Sequence, residues 1–204
     1  MSFEHSAWLI CFRFGSVAGV EHRAAIGVGA NLPSGGGAPE QTVAAALEEL
    51  AGAGRVVARS SLYRTAPVDR EDQPGFVNAA AVVETDLEAE ALLDFLLGLE
   101  RRYGRDRTGE VQKGPRALDL DLLLMDGVIV RTPRLTVPHP ELERRRFVLA
   151  PLAEIAAEWR HPVSGLTMAE LLAAVPDEGA NRVESVRKIG AERGPKIELG
   201  QPPR

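Results

Sequence analysis

The sequence predicts an α+β protein in which helices flank a mainly antiparallel sheet. Three observations carry this prediction. Strand-like and helix-like segments alternate along residues 24–176, and they follow the order β-α-β-β-α-β-β-α. A third is that 45% of the residues are hydrophobic, which is ample for a buried core. This order is typical of a ferredoxin-like sandwich.

The 204 residues fit one domain with an additional segment at each end. Residues 1–23 lack a clear period, and we expect them to form an N-terminal extension. Residues 24–176 are expected to form the folded domain. Residues 177–204 contain no aromatic residue and combine charges with Gly and Pro, so we expect a flexible C-terminal tail.

The first half of the domain is predicted to hold a strand, a helix and a second strand. The strand is the apolar run AAIGVGANL, and the helix begins at Pro39, because proline suits the first turn of a helix. Gly52 and Gly54 end this helix. Residues 55–68 are rich in branched side chains and predict one strand that a proline terminates. The apolar face of the helix consists of Val43, Ala46, Leu47 and Leu50.

The second half begins with a predicted strand over residues 76–85. Thr85 and Glu88 have the spacing of a capping box, which predicts a helix that continues through Tyr103 and ends at Gly104. The later elements are a hairpin around the Asp126-Gly127 pair and helices near 141–157 and 167–174.

Charge and cysteine content exclude several classes of protein. With 24 basic and 29 acidic residues the net charge is −5, which argues against a general nucleic-acid binder. The single cysteine, Cys11, excludes an intramolecular disulfide and a cysteine-rich zinc site, and it favours a reducing cytoplasm. No apolar run approaches the roughly 20 residues that cross a bilayer, so no membrane association is expected.

Two carboxylates in an apolar strand are the most informative feature. Asp119 and Asp121 are separated by one residue, so their side chains are expected on the same face, opposite Leu118, Leu120 and Leu122. Aspartate is disfavoured in strands, and two like charges repel. A bound Mg²⁺ would account for the pair, because Mg²⁺ commonly takes one or two carboxylates plus phosphate oxygens. A strand face that is simply solvated is the alternative.

An arginine-rich zone surrounds the two aspartates. Residues 101–146 contain 11 basic and seven acidic side chains, so this segment carries +4 while the rest of the chain carries −9. Arginine matches phosphate oxygens geometrically, which indicates a polyphosphate bound together with its metal. Ordinary solvated arginines are the alternative. The polar loop 105–116 between helix and strand could be a mobile lid or a plain surface loop.

Other candidate residues have two readings each. His139 lies between two prolines, where it could contact phosphate or serve a structural role. Phe76 and Phe147 are candidate ligand platforms, although core packing is the more common role of such residues. Asn78 stands alone in an apolar strand and needs a hydrogen-bonding partner, either the backbone or a ligand.

The motifs together resemble the hydroxymethyl-dihydropterin pyrophosphokinase family of folate biosynthesis. The similarity runs from about Ala24 to about Leu172. It is carried by GANL, SSLYRTAPV, DQPGFVNAA, GPRALDLDLLL and RLTVPHPELERRRFVLAPL, of which GPR-x-LDLD with LTVPHP is the most specific. The resemblance implies Mg²⁺-dependent transfer of the pyrophosphoryl group of ATP to the hydroxymethyl oxygen of the pterin, with release of AMP. It implies small-molecule partners only, and we expect a monomer.

The resemblance also implies roles for individual residues. Asp119 and Asp121 correspond to ligands of two Mg²⁺ ions, and Arg105 and Arg116 to arginines that assist catalysis or hold the polyphosphate. The positions that correspond to ATP contacts are Glu100, Arg107, Leu122, Arg134, Thr136, His139 and Arg145. Those that correspond to pterin contacts are Thr65, Ala66, Val68, Phe76, Asn78 and Phe147. Gly29 and Asn31 correspond to the beginning of the family's fold.

Three positions depart from the family pattern. Lys113 stands where some members carry tryptophan, Pro140 where others carry tyrosine, and Ala66 where others carry proline. These differences concern loop closure and adenine packing. Two rival interpretations remain at this stage: a non-catalytic ferredoxin-like module that binds RNA or protein, and a degenerate relative that binds pterin without turnover.

Overall fold

The structure is a computed structural model that describes residues 22–35, 37–67, 72–105 and 114–177, together with the backbone of 183–186. The strands are β1 His22–Ala30, β2 Arg55–Arg59, β3 Leu62–Thr65, β4 Phe76–Thr85, β5 Asp119–Met125, β6 Val130–Arg131, β7 Thr136–Val137 and β8 Val183–Val186. The helices are α1 Pro39–Glu49, α2 Ala89–Arg102, α3 Arg146–Ala156 and α4 Met168–Ala174.

Within these residues the main sheet has the order β5-β1-β4-β3-β8, and β2 also pairs with β4. All of its pairings are antiparallel, which confirms the predicted type of sheet. β6 and β7 form a separate two-stranded ribbon. In the described part of the chain, no helix is long and apolar enough to cross a membrane.

Helices cover both faces of the sheet. Because successive side chains of a strand point to opposite sides, each long strand contributes residues to both cores. In β4, Ala79 and Ala81 belong to the core under α1 and α2, whereas Ala80 and Val82 belong to the core under α3 and α4. All four are at most 2% exposed. The long strands are therefore nearly continuous apolar runs in the amino-acid sequence.

The predicted strand over 55–68 is two strands, so the prediction of a single element is wrong. The interruption falls at Ser60, whose hydroxyl accepts a hydrogen bond from the Ala80 amide at 2.9 Å and donates one to the Ser61 carbonyl at 2.8 Å. The Ser60 hydroxyl competes with the neighbouring strand for hydrogen bonds to backbone groups. Ser61 is in turn anchored to Glu154 of α3, so the interruption is a tertiary effect.

The predicted capping box at Thr85 and Glu88 is also wrong. The Thr85 hydroxyl donates to the Ala53 carbonyl and accepts from the Leu87 amide at 3.1 Å. The helix begins at Ala89 and ends at Arg102, with Gly104 following at a positive φ of 86°. Its predicted extent is otherwise confirmed.

The Asp126-Gly127 turn forms, but the predicted hairpin does not. Val128 donates to the Met125 carbonyl across the turn at 3.1 Å, and Gly127 has a positive φ of 70°. The Asp126 carboxylate accepts a hydrogen bond from the Arg23 amide at 2.9 Å, which ties the turn to β1. β6 consequently pairs with β7 and not with β5.

Two terminal predictions need correction at the level of single elements. β1 starts at His22, two residues before the predicted start of the domain. β8 lies in the segment expected to be a flexible tail, yet it pairs antiparallel with β3.

The helix predicted near 141–157 consists of a short 3-10 helix, Leu142–Arg144, and α3. The predicted helix near 167–174 is confirmed as α4.

Candidate active site

Asp119 and Asp121 lie at the start of β5, on the sheet face that carries α3. Leu118, Leu120 and Leu122 are at most 3% exposed and belong to the opposite core, under α1 and α2. The two carboxylates therefore share one face, as the alternation along a strand predicts. Both side chains remain partly accessible.

Two arginines neutralise Asp119. Arg105 and Arg116 each form an ion pair with a different oxygen of its carboxylate. Burial opposes ionisation of this group, but the two guanidinium groups outweigh burial and hold the Asp119 pKa below its ordinary value. Asp119 is therefore a carboxylate at neutral pH.

The pKa of Asp121 is shifted in the opposite direction from that of Asp119. Burial raises its pKa to about 7, and the neighbouring charges of Asp119 and Glu100 act in the same direction. Among the described residues, no hydrogen bond or ion pair reaches the Asp121 carboxylate, although its side chain is partly accessible. A cation placed beside it would stabilise its ionised form.

The donor set at this place fits Mg²⁺ held jointly with a ligand. Mg²⁺ favours hard oxygen donors and is usually bound by one or two carboxylates plus substrate phosphates. Within the described ranges, no group of three or more His, Cys, Asp and Glu side chains could hold a metal alone. The pair Asp119 and Asp121 therefore suits an ion that arrives with phosphate oxygens.

Glu100 lies beneath Arg105 at the end of α2. It is 1% exposed, and its Oε1 accepts hydrogen bonds from Arg105 Nη1 at 2.6 Å and from the Leu120 amide at 2.8 Å. The carboxylate thus fixes both an arginine of the site and the backbone between the two aspartates. Its predicted role as an ATP contact stays a prediction, and its position favours support of Arg105.

Asn78 and Thr65 lie on the same sheet face as the aspartates. In the register, Gly29 of β1 stands opposite Asp119 on one side and opposite Asn78 on the other. The backbones of Asp119 and Asn78 are thus two strands apart, with about 4.8 Å between neighbouring strands. The Asn78 amide donates to the Thr65 hydroxyl at 2.8 Å. The hydrogen-bonding partner that the sequence required for Asn78 is therefore a side chain.

A cavity of about 670 Å³ opens beside Thr65, between the start of α1 and the adjacent ends of β3 and β4, and neither Asn78 nor Phe147 lines it. Three of the residues predicted to contact the pterin, Thr65, Ala66 and Phe76, line it. Glu40 and Arg64 form an ion pair at its wall. Its other lining residues are Asn31, Pro33, Pro39, Pro74, Gly75 and Val77.

His139 and Arg145 approach the aspartates from the segment before α3. The His139 amide donates to the Leu123 carbonyl at 2.8 Å, which attaches it to β5. Burial and the charge of Arg145 lower the His139 pKa, so this histidine is neutral at physiological pH. The Arg145 guanidinium lies 5.7 Å from the centre of the Phe147 ring.

Other predicted residues do not join this cluster. Arg134 is exposed and pairs with Asp94 and Glu90 of α2. Leu122 is 3% exposed and turns its side chain into the opposite core, which leaves only its backbone for a ligand on the aspartate face. Thr136 is half-buried in β7. Arg107, Val68 and Lys113 lie outside the described residues.

Asn31, which the resemblance placed only at the beginning of the family's fold, connects several parts of the site. The asparagine is 2% exposed, and its side chain bonds to the 72–75 loop and to Arg116. Its position at the end of an apolar strand, directly before a proline-containing loop, was the only signal in the sequence.

The sequence profile of the 7,8-dihydro-6-hydroxymethylpterin-pyrophosphokinase (HPPK) family matches residues 25–157. The chain belongs to this family. HPPK enzymes are pyrophosphokinases of folate biosynthesis, and this activity class applies to the chain. The rival interpretation as a non-catalytic binding module is therefore wrong.

Relatives with that activity in their names cover most of the chain. The 2-amino-4-hydroxy-6-hydroxymethyldihydropteridine pyrophosphokinase of Pseudomonas aeruginosa is 42% identical over 163 residues, which are 79% of this chain and 96% of the relative. The enzyme of the same name from Methylorubrum extorquens is 42% identical over 164 residues, covering 79% and 99%. The HPPK profile and these relatives share the region that carries the aspartates.

Solved structures show the same fold. A Plasmodium falciparum HPPK-DHPS triple mutant with pteroate superposes with a TM-score of 0.58 at 15% identity and covers 78% of this chain. The wild-type HPPK-DHPS with pteroate gives a TM-score of 0.59 at 14% identity and covers 75%. The chain spans 44% of the length of each of those chains. The likeness confirms the ferredoxin-like HPPK fold.

Proposed function

We propose that this HPPK transfers the pyrophosphoryl group of ATP to the hydroxymethyl oxygen of 6-hydroxymethyl-7,8-dihydropterin in a Mg²⁺-dependent reaction and releases AMP. One observation carries the proposal. Asp119 and Asp121, with Arg105 and Arg116 on Asp119, share a sheet face with Asn78 and lie two strands from it. A phosphate-binding half and a pterin-binding half are therefore adjacent.

The phosphate half is proposed to use the carboxylates for Mg²⁺ and the arginines for the polyphosphate. Asp119 and Asp121 would hold the metal, which supplies charge neutralisation on the transferred group and on the leaving phosphate when bound. Arg105 and Arg116 are oriented by Asp119, so both guanidinium groups already lie next to the metal ligands. Preorganised cations of this kind stabilise the charge that spreads over phosphate oxygens during transfer.

The remaining predicted ATP contacts have unequal structural support. The charge of Arg145 acts to lower the pKa of both Asp121 and His139, and the charge of Asp119 acts on His139, so both residues lie close to the aspartates. Arg134 would have to leave Asp94 to reach a ligand, and Leu122 would contribute through its backbone. Thr136, half-buried in β7, retains its role by resemblance alone. Arg107 retains its role by resemblance alone.

The pterin half is proposed to use the cavity together with Asn78. Thr65, Ala66 and Phe76 provide its wall, and the Asn78 amide provides directed hydrogen bonds for a heteroaromatic ring. Phe147, at the start of α3, is proposed as the second aromatic contact. Val68 retains its role by resemblance alone.

The nucleotide product tests this reaction. With Mg²⁺, ATP and reduced hydroxymethylpterin, the enzyme is expected to release one AMP per pterin consumed, because the pyrophosphoryl group moves as a unit. Chromatographic separation of the nucleotides after a timed reaction measures this ratio. Formation of ADP without AMP would show that only one phosphoryl group moves and would contradict the proposal.

Gly29 gives a prediction that separates the two halves. A Cβ at this position would lie 2.9 Å from Asn78 Oδ1 and 4.0 Å from the Asp119 Cβ. Gly29→Ala is therefore expected to displace the Asn78 amide and weaken pterin binding by about tenfold, the equivalent of one hydrogen bond of about 1.4 kcal/mol. Calorimetric titration with the pterin and, separately, with a non-transferable ATP analogue measures both affinities.

Gly27→Ala is the matched control for that substitution. Gly27 is also in β1, on the same face, but its added Cβ would meet the apolar Leu123 side chain, at 3.3 Å, and not Asn78. Its pterin affinity is expected to stay within about twofold of wild type. Equal losses in the two variants would show that general distortion of β1, and not Asn78, controls pterin binding.

We also infer a cytoplasmic monomer. The single cysteine fits a reducing compartment. Light scattering of the purified protein at assay concentration measures the oligomeric state.

A further inference from the structure

The start of α3 departs from two local preferences of helices. Its N-cap residue is Arg145 and its first residue is Arg146. Ser, Thr, Asp and Asn are favoured at the N-cap, and acidic side chains are favoured in the first turn. Within the described residues, no side chain caps this end of the helix. Natural proteins often break such local rules where a function requires it, and Arg145 is already a proposed ATP contact.

The Arg146 side chain attaches the start of α3 to the end of α4. Its Nη1 donates to the Val175 carbonyl at 2.6 Å and to the Leu172 carbonyl at 3.1 Å. Its Nε lies 3.2 Å from Asp177 Oδ1, in an ion pair that lacks the geometry of a hydrogen bond. The side chain is 20% exposed, so water screens these contacts only in part. A cation that opposes the dipole of α3 is therefore stabilised by the carbonyls and the carboxylate at the end of α4.

The neighbours of Arg146 in the chain belong to the proposed site. The Arg145 guanidinium lies 5.7 Å from the centre of the Phe147 ring, and its charge acts on Asp121. The ion pair of Arg145 with Glu141 is long, at 3.9 Å, and stays within the same segment. It therefore does not attach that segment to the rest of the fold. The contacts of Arg146 do, because they reach a different helix.

We propose that Arg146 is a positioning residue that fixes Arg145 for the transfer reaction. The inference rests on the proposed function, because it requires Arg145 to contact ATP. Arg146 touches no substrate and acts through the backbone that it shares with Arg145. A small displacement of a positioned cation lowers the rate strongly, since the cation must already be in place when charge develops in the transition state.

Arg146→Met retains a long side chain and removes the hydrogen bonds to α4. We expect kcat/KM for ATP, measured as AMP formation, to fall by about tenfold. Arg146→Lys restores a cation that can reach a carbonyl and should recover part of this loss. Arg144→Met is the matched control, because Arg144 is an exposed arginine directly before the same segment. Its kcat/KM should stay within about twofold of wild type, and an equal loss in Arg144→Met and Arg146→Met would overturn the inference.

A double-mutant cycle separates positioning of Arg145 from general stabilisation of the domain. In the Arg145→Ala background, Arg146→Met should lower kcat/KM by less than about twofold, because the group that Arg146 positions is absent. A tenfold loss in both backgrounds would show that Arg146 acts on the whole domain and would overturn the inference.

Asp177→Asn provides a milder variant in case Arg146→Met does not fold. It removes the ion pair with Nε and leaves both carbonyl bonds, so kcat/KM should fall by about two- to threefold. An unchanged kcat/KM in Arg146→Met, or in Asp177→Asn where Arg146→Met is unfolded, would overturn the role of Arg146 and leave the proposed reaction in place. A wild-type enzyme that forms no AMP would overturn the proposed reaction itself.

Discussion

Asp121→Asn is expected to lower kcat by about 10³-fold or more, since a carboxylate that holds a catalytic metal contributes several kcal/mol to the transition state. The substitution keeps the shape of the side chain and removes its charge. Pterin affinity should stay within about threefold, because Asn78 and the cavity do not contact Asp121. Single-turnover kinetics with Mg²⁺ measure the chemical step, and calorimetry measures the affinity.

Asp126→Asn, one residue beyond the end of the same strand, is the matched control. Asp126 follows the far end of β5, where it pairs with Arg23, and it has no contact with the site. We expect its kcat to remain within about twofold of wild type. A near-normal rate for Asp121→Asn at saturating Mg²⁺ would remove this carboxylate from the metal site.

Arg116→Ala is expected to reduce kcat by about 10³-fold, at the lower end of the range for an arginine that stabilises a phosphoryl-transfer transition state. The effect has two sources in the structure: a cation is lost beside the phosphates, and Asp119 loses one of its two partners. The backbone bonds between Arg116 and Asn31 do not involve the removed side chain. Rapid-quench measurement of AMP formation reports the change.

Arg131→Ala controls for the loss of one positive charge in the arginine-rich zone. Arg131 is exposed in β6, and neither of the two arginines paired with Asp119 is Arg131. Its rate should remain within about twofold of wild type at physiological salt. Equal reductions in Arg116→Ala and Arg131→Ala would mean that net charge, and not position, accounts for the effect.

The sequence predicted the main elements because their signals are local. Periodicity identified the core helices and strands, and the alternation around Leu120 placed Asp119 and Asp121 on one face correctly. The failures occurred where distant partners decide the local structure. Ser60 interrupts a strand by bonding to Ala80, and Thr85 bonds to Ala53 instead of capping a helix.

The residues of the candidate site also differ in how well the sequence alone could identify them. The aspartates were recognisable because charges in an apolar strand stand out within a few residues of sequence. The bonds that Asn31 and Glu100 make were not predictable, although the resemblance implied an ATP contact for Glu100. They depend on Arg116 and Leu120, which lie 85 and 20 residues away. Buried polar side chains acquire a function only through such partners.

The retained charged groups also argue against a relative that binds pterin without turnover. Asp119 is paired with two arginines, and Asp121 remains accessible beside them. Within the described residues, Asp121 lies on the same sheet face as Asp119 and the two arginines that pair with it.

The central claim is that Asp119 and Asp121 bind divalent ions together with the triphosphate. Electron paramagnetic resonance of Mn²⁺, titrated into the protein with α,β-methylene ATP, tests it on the Asp121→Asn variant. The account predicts two protein-associated Mn²⁺ ions per wild-type chain in the presence of the analogue and fewer than two in the variant. Two ions bound with wild-type affinity by Asp121→Asn would contradict it.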